Sequence, residues 1–153
     1  MNLKYACSRN RSFKSPETPV VFVVDGDASV RDAVGSIIRT AGWRHLTAGS
    51  AEEFLAMPRV MGTSCLLVEF DLPDSSGLDL QSRVLDRAEM PVIFMSSHAD
   101  IHAAVQALKG GAFEFLTKPL VQHVLLDAIR DALERSRATL RYLAQTQALH
   151  ARY

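Results

Sequence analysis

Residues 20–24 read Val-Val-Phe-Val-Val, a continuous apolar run without polar alternation, and this run constrains the fold more than any other feature of the chain. A strand with one face in water alternates apolar and polar side chains, whereas a strand covered on both faces does not. The run therefore predicts a central strand of a parallel sheet with helices on both sides. CLLVEF (65–70) and VIFMS (92–96) repeat the pattern, and WRHLTA (43–48) and AFEFL (112–116) are weaker versions of it.

Amphipathic stretches separate these runs. Val30, Val34, Ile37, Ile38 and Ala41 share one helical face, which ends at Gly42. Ser50 with Glu53 three residues on forms a capping box for a short helix through Met57. Further helices are expected near Leu78–Leu85, from about Asp100 to Lys109 before the Gly110-Gly111 turn, and from about Leu120 towards the end of the chain. Five strands alternating with five helices predict an α/β fold built on a doubly wound five-stranded parallel sheet. With 153 residues, 48% of them apolar, the chain matches one such domain. Residues 1–19 are expected to be a disordered basic arm, 20–135 the domain, and 136–153 an extension of the last helix. Trp43, Phe54, Phe70 and Phe94 read as core.

Ligands of doubly wound sheets bind beyond the carboxyl ends of the strands. Those ends carry Asp25 and Asp27, Glu69 and Asp71, Ser96 and Ser97, and Lys118 followed by Pro119. Clustered carboxylates repel one another unless a hard cation sits among them, and Mg²⁺ takes one or two carboxylates together with water and phosphoryl oxygens. A hydroxyl and a lysine opposite the cation would neutralise a transferred phosphoryl group, with a carboxylate as nucleophile. Each residue alone has a plainer use, as a helix cap or a solvated charge; the weight lies in four kinds of group at four strand ends. No Gly-rich nucleotide-binding motif appears. Seventeen basic and seventeen acidic side chains cancel, so nothing global draws the chain to nucleic acid or to an anionic membrane. Two cysteines, Cys7 and Cys65, make no disulfide framework, and neither a signal core nor a membrane span is legible, so the expected location is the cytoplasm.

Four segments in order, VFVVDGDASVR, DLPDSSGLDL, PVIFMSSHAD and GGAFEFLTKPL, resemble the receiver domain of bacterial two-component response regulators, most closely receivers that precede LuxR-type DNA-binding domains. The resemblance covers about Val20 to Arg135. It implies a flavodoxin-like (βα)5 fold, bound Mg²⁺, and phosphoryl transfer from a sensor histidine kinase to an aspartate after the third strand. It also implies a shift of the last helices and strand on phosphorylation. By resemblance, Glu69 takes the phosphoacceptor position, Ser96 and Lys118 contact the phosphoryl group, Phe115 is the aromatic switch, and the Lys118–Pro119 bond is cis.

Two positions depart from the family pattern. The acidic pair after the first strand is Asp25-Gly26, so a carboxylate that would touch the metal is missing and Mg²⁺ affinity is expected to be weakened. Glu69 replaces the aspartate and reaches about 1.5 Å further, one carbon–carbon bond. A misplacement of about 1 Å can cost on the order of 100-fold in rate. Directed at Ser96 and Lys118, the Glu69 charge would imitate a phosphoryl group incompletely, with less charge and fewer acceptors. Asp71 is the alternative acceptor or metal ligand if the strand extends that far, and Asp27 is a second weak metal candidate; the competing reading makes both of them caps. Ser97 stands where the family usually has Gly or Ala. His98 and His102, four apart, read as surface.

Leu126, Ile129, Leu133, Leu140 and Leu143 follow an alternating three-four spacing, with Ser136 at the missing step. This seam predicts a parallel homodimer through the last helix and the adjoining fourth-helix and fifth-strand face. Three functions compete. One is an atypical single-domain response regulator, non-enzymatic, binding a histidine kinase and a downstream protein. The second is a working phosphoacceptor at Glu69 or Asp71 with Mg²⁺, and the third is an unrelated flavodoxin-like metal-dependent hydrolase. Gly26 favours the first over the second, and Ser96 with Lys118 favours both over the third. No helix-turn-helix is legible, so the reading includes no nucleic-acid partner and no membrane.

Overall fold

A computed structural model describes residues 18–98 and 100–152, with side chains through Leu149. The arm predicted for residues 1–19 therefore lies almost wholly outside the described residues, as does Cys7. In chain order the elements are β1 (Val20–Val24), α1 (Ala28–Thr40), β2 (Arg44–Ala48), α2 (Ala51–Ala56), β3 (Ser64–Glu69), α3 (Gly77–Arg83), β4 (Val92–Ser96), α4 (Ile101–Lys109), β5 (Glu114–Thr117) and α5 (Gln122–Arg152). All strand pairs are parallel, in the order β2-β1-β3-β4-β5. This is the predicted doubly wound sheet. Its order reverses between β1 and β3, which places the binding crevice at the ends carrying Asp25 and Glu69.

Alternation along each strand feeds two separate apolar layers, which is why the run at residues 20–24 contains no polar residue. Phe22, Leu66 and Phe94 pack with Phe54 of α2 and Leu80 of α3 on one side. Val21, Val23, Leu67, Ile93 and Met95 pack with Ile38 of α1 and with Leu125, Ile129 and Leu133 of α5 on the other.

The helices start where short polar side chains take up orphan backbone donors. Asp27, Ser50, Ser76 and Asp100 are N-caps, accepting from the N–H groups of Ser29, Glu53, Asp79 and His102. The capping box at α2 is displaced by one residue, because Glu53 Oε1 accepts from Gly49 N–H at 2.7 Å rather than from Ser50 N–H. The helix expected near Leu78–Leu85 runs from Gly77 to Arg83.

The C-terminal helix departs from expectation. Ile129 and Leu133, predicted on a partner-facing seam, are buried in the domain's own core, and Leu126 is half-buried. Helix α5 must cover the second face of the sheet, and the seam is the side that does so. Ser136 is 0% exposed. Its Oγ accepts from Ser64 N–H at 3.0 Å and donates to the Glu89 carbonyl at 2.5 Å. The residue at the missing heptad step thus pins α5 to the start of β3. Past Ser136 the same side of α5 carries Leu140, half-buried, and Leu143, exposed.

Cys65 is a free thiol, fully buried in β3, and burial pushes its pKa up to about 12. The thiolate is the reactive form. In a Cys7→Ser chain, Cys65 is therefore expected to resist iodoacetamide at mildly alkaline pH until the protein unfolds. Mass spectrometry checks this, and labelling faster than global unfolding contradicts the burial.

Candidate functional site

The sheet register brings the ends of β1, β3, β4 and β5 to one edge, with Glu69 beside Met95 and Ser96 beside Thr117. Asp25, just past β1, is 2% exposed, and Glu69, the last residue of β3, is 7% exposed. Lys118 follows β5; its backbone N–H donates to the Ser96 carbonyl at 2.7 Å, which fixes it over the end of β4. The Lys118–Pro119 bond is cis.

From there the Lys118 ammonium reaches both acids. Nζ donates to Asp25 Oδ2 at 2.8 Å and to Glu69 Oε1. The remaining carboxylate oxygens also have donors: Asp27 N–H to Asp25 Oδ1 at 2.8 Å, and Asp71 N–H to Glu69 Oε2 at 3.2 Å. Every oxygen of the two buried carboxylates is thus hydrogen-bonded, as burial of charge requires. Burial by itself would lower the Lys118 pKa, but the hydrogen bonds and charges of Asp25 and Glu69 outweigh it and hold the ammonium above its ordinary value.

The other expected site residues are placed differently. Ser96 is buried, and its Oγ donates to the His98 carbonyl at 3.0 Å and accepts from His98 N–H at 3.1 Å, so the hydroxyl is engaged in its own loop. Phe115 is half-buried against Phe70 and Phe94, with ring centroids 5.7 and 6.2 Å away. Asp27 is exposed and caps α1, and its hydrogen bonds to Ser29 hold its carboxyl below the usual range. Because β3 ends at Glu69, Asp71 lies outside the strand; it is exposed, with its carboxylate 3.7 Å from His98 Nδ1. Sequence spacing gave no hint of that contact.

Three further residues shape the site without having been singled out. Arg31 Nη1 donates to the Asp25 carbonyl at 2.5 Å. The Asp74 carboxylate accepts from Ala51 and Glu52 N–H at 3.1 and 3.0 Å, tying the β3–α3 loop to the start of α2. Pro73 lies over Gly26: a Cβ on Gly26 would fall 2.8 Å from Pro73 Cγ and 3.2 Å from Cδ. These contacts span 6, 23 and 47 positions, and no local motif announces them.

The model of the response regulator receiver domain matches residues 21–130. The chain belongs to the response regulator receiver domain family. It is 36% identical over 151 residues to response regulator protein TmoT of Ectopseudomonas mendocina, covering 98% of this chain and 69% of TmoT. It is 37% identical over 132 residues to response regulator protein TodT of Pseudomonas putida, covering 86% of this chain but only 58% of TodT. The solved structure of response regulator StyR is 38% identical with a TM-score of 0.76, over 86% of this chain and 67% of StyR. The receiver thus spans little more than half of TodT. Among the described residues, no helix is long and apolar enough to cross a membrane.

Receiver domains generally bind Mg²⁺ at the phosphorylation site. Two features of this pocket bear on that ion. Gly26 supplies no side-chain ligand, and Pro73 occupies the space a side chain there would enter first. The two remaining acids are fully hydrogen-bonded, and among the described residues no group of three or more His, Cys, Asp or Glu could hold a metal.

Proposed function

We propose that this receiver is an atypical response regulator module of two-component signalling, working in the cytoplasm by protein–protein contact rather than by turnover of an aspartyl phosphate. The supporting observation is the Lys118 ammonium bonded to Glu69 and Asp25, where a phosphoryl group and its cation would have to enter. Glu69 in the acceptor position presents a longer carboxylate than an aspartate, and its Oε1 is already bound. A sensor histidine kinase and a downstream protein are the partners this reading assigns. A homodimer fits the exposed apolar side chains Ile101, Val105 and Leu108 on one face of α4, with Val121, Val124 and Leu143 on or beside α5.

Phosphotransfer tests the reading. Given Mg²⁺, labelled ATP and a histidine kinase competent on another receiver, this chain is expected to accept at least about 100-fold less label than that receiver. Acid-stable, base-labile label at comparable rate, lost in Glu69→Ala or in Asp71→Ala, would establish a working phosphoacceptor and overturn the reading.

A further inference from the structure

We infer that the cavity between α3, the α4–β5 turn and α5 is a binding site for a small hydroxycarboxylic acid, whose carboxylate meets the Arg135 guanidinium and whose hydroxyl donates to Gln81 Oε1. The site is separate from the acidic pocket. It is lined by Val92, where β4 begins, whereas the acids and Ser96 lie where the strands end. The inference therefore goes beyond the functional reading and holds whether or not the acidic pocket accepts a phosphoryl group.

The lining decides the chemistry. The cavity holds about 170 Å³, and its walls include two cations, Arg87 and Arg135, but no acid. Among the described residues neither guanidinium has a carboxylate partner: Glu134, adjacent to Arg135, pairs with Arg137 at 2.7 Å, and Asp86, adjacent to Arg87, pairs with Arg59 at 3.4 Å. Each lies over an aromatic ring instead, Arg135 Cζ 5.4 Å from the Phe113 centroid and Arg87 Cζ 5.4 Å from that of Phe54. A ring holds a guanidinium in place without neutralising it, so the charge stays available to an anion, and a carboxylate matches the fork of its N–H donors. Gln81 supplies the second polar group. The residue is 6% exposed, and its Nε2 donates to the Ala107 carbonyl at 3.0 Å. Its Oε1 has no donor among the described residues and faces Gly110, where a Cβ would fall 2.9 Å away. A buried acceptor without a donor costs free energy, which a ligand hydroxyl relieves. An ammonium would donate as well, but it would enter beside two guanidiniums, which disfavours an amino acid. The Phe113 ring and the aliphatic walls receive an apolar body between the two polar groups, and a cavity of about 150 Å³ is enough to admit a benzene ring.

The test titrates the full chain with 3-hydroxybenzoate, a rigid probe of this size, and reads amide chemical shifts against NaCl of equal ionic strength. Saturable shifts centred on Gly110, Gly111 and Phe113 are expected at millimolar Kd, the range for a ligand of about ten non-hydrogen atoms. Benzoate, which lacks the hydroxyl, is expected to bind about fivefold more weakly, and neutral 3-hydroxybenzamide about tenfold more weakly or worse. Arg135→Gln changes an exposed side chain and is expected to weaken 3-hydroxybenzoate by about tenfold or more. The absence of saturable shifts up to about 20 mM overturns the inference, because even a poorly efficient ligand of this size binds below that concentration. Equal affinity for the benzamide, or affinity untouched by Arg135→Gln, also overturns it. So do shifts confined to residues 25–27, 69–71 and 118, which would place the anion in the acidic pocket. Because the titration contains neither kinase nor ATP, its outcome is independent of the phosphotransfer result.

Discussion

Phe94→Ala is expected to lower the unfolding free energy by about 3–5 kcal/mol, the range for truncating a large buried aromatic side chain. Phe94 lies at the centre of β4, fully buried, paired with Val68 on one side and Phe115 on the other. Its ring meets Phe70 edge-on with centroids 5.6 Å apart, and Phe70 in turn meets Phe115 at 5.7 Å. The ring also fills the space above Gly77, where a Cβ would fall 2.6 Å from Phe94 Cε1 and 3.1 Å from the Glu69 carbonyl. That approach leaves no room for a side chain at the first residue of α3, and it lets the Gly77 N–H reach the Phe70 carbonyl at 2.6 Å. Truncation would leave a cavity bounded by backbone on the Gly77 side, which cannot collapse as a flexible side chain could. Urea unfolding at unchanged m-value is the measurement. A loss below about 1 kcal/mol would mean that Phe70 and Phe115 close the gap, and that the aromatic trio is softer than its geometry implies.

The cluster joins two parts of the site. Phe70 follows Glu69 directly, and Phe115 lies three residues before Lys118, so the rings that stabilise the sheet also set the spacing between the acid and the ammonium. The assignment of Phe115 as a switch therefore competes with a packing role that the contacts already explain.

Much of the fold could be read from sequence because its determinants are local. Val20–Val24 declares burial on both faces by composition alone, and Asp27, Ser50 and Asp100 announce helix starts because a cap needs only a short acceptor two or three residues ahead. The strand-end residues Asp25, Glu69, Ser96 and Lys118 could be named because doubly wound sheets place ligands there. Their contacts could not. Lys118 finds Asp25 across 93 positions and Glu69 across 49, and sequence offers no rule for choosing these partners over Ser96 or a solvated position. Of Ser96 and Lys118, Glu69 bonds Lys118 alone, while the Ser96 hydroxyl serves the His98 backbone. In α5 a three-four repeat looks the same whether it faces a partner helix or the chain's own sheet.

Ser136→Leu separates those two meanings of the repeat. In an intermolecular seam, leucine would complete the heptad between Leu133 and Leu140 and strengthen the helix pair. Here it is expected to destabilise the receiver by about 3–5 kcal/mol, the sum of unpaired backbone groups and overpacking. The Ser136 hydroxyl joins the Ser64 N–H, 72 positions away, to the Glu89 carbonyl, 47 positions away, with the residue fully buried. Leucine can neither accept from the first nor donate to the second, and its added carbons enter a space already filled by the start of β3 and the segment before β4. Ser136→Ala removes only the hydrogen bonds and should cost about 1–3 kcal/mol, so the difference between the two variants isolates the packing component. Chemical unfolding at two protein concentrations completes the measurement. If leucine raised stability, and more so at higher concentration, this side of α5 would be a subunit contact after all. The expected loss, independent of concentration, makes it a strut that holds the last helix against the sheet, leaving the turns beyond Leu140 to meet a partner.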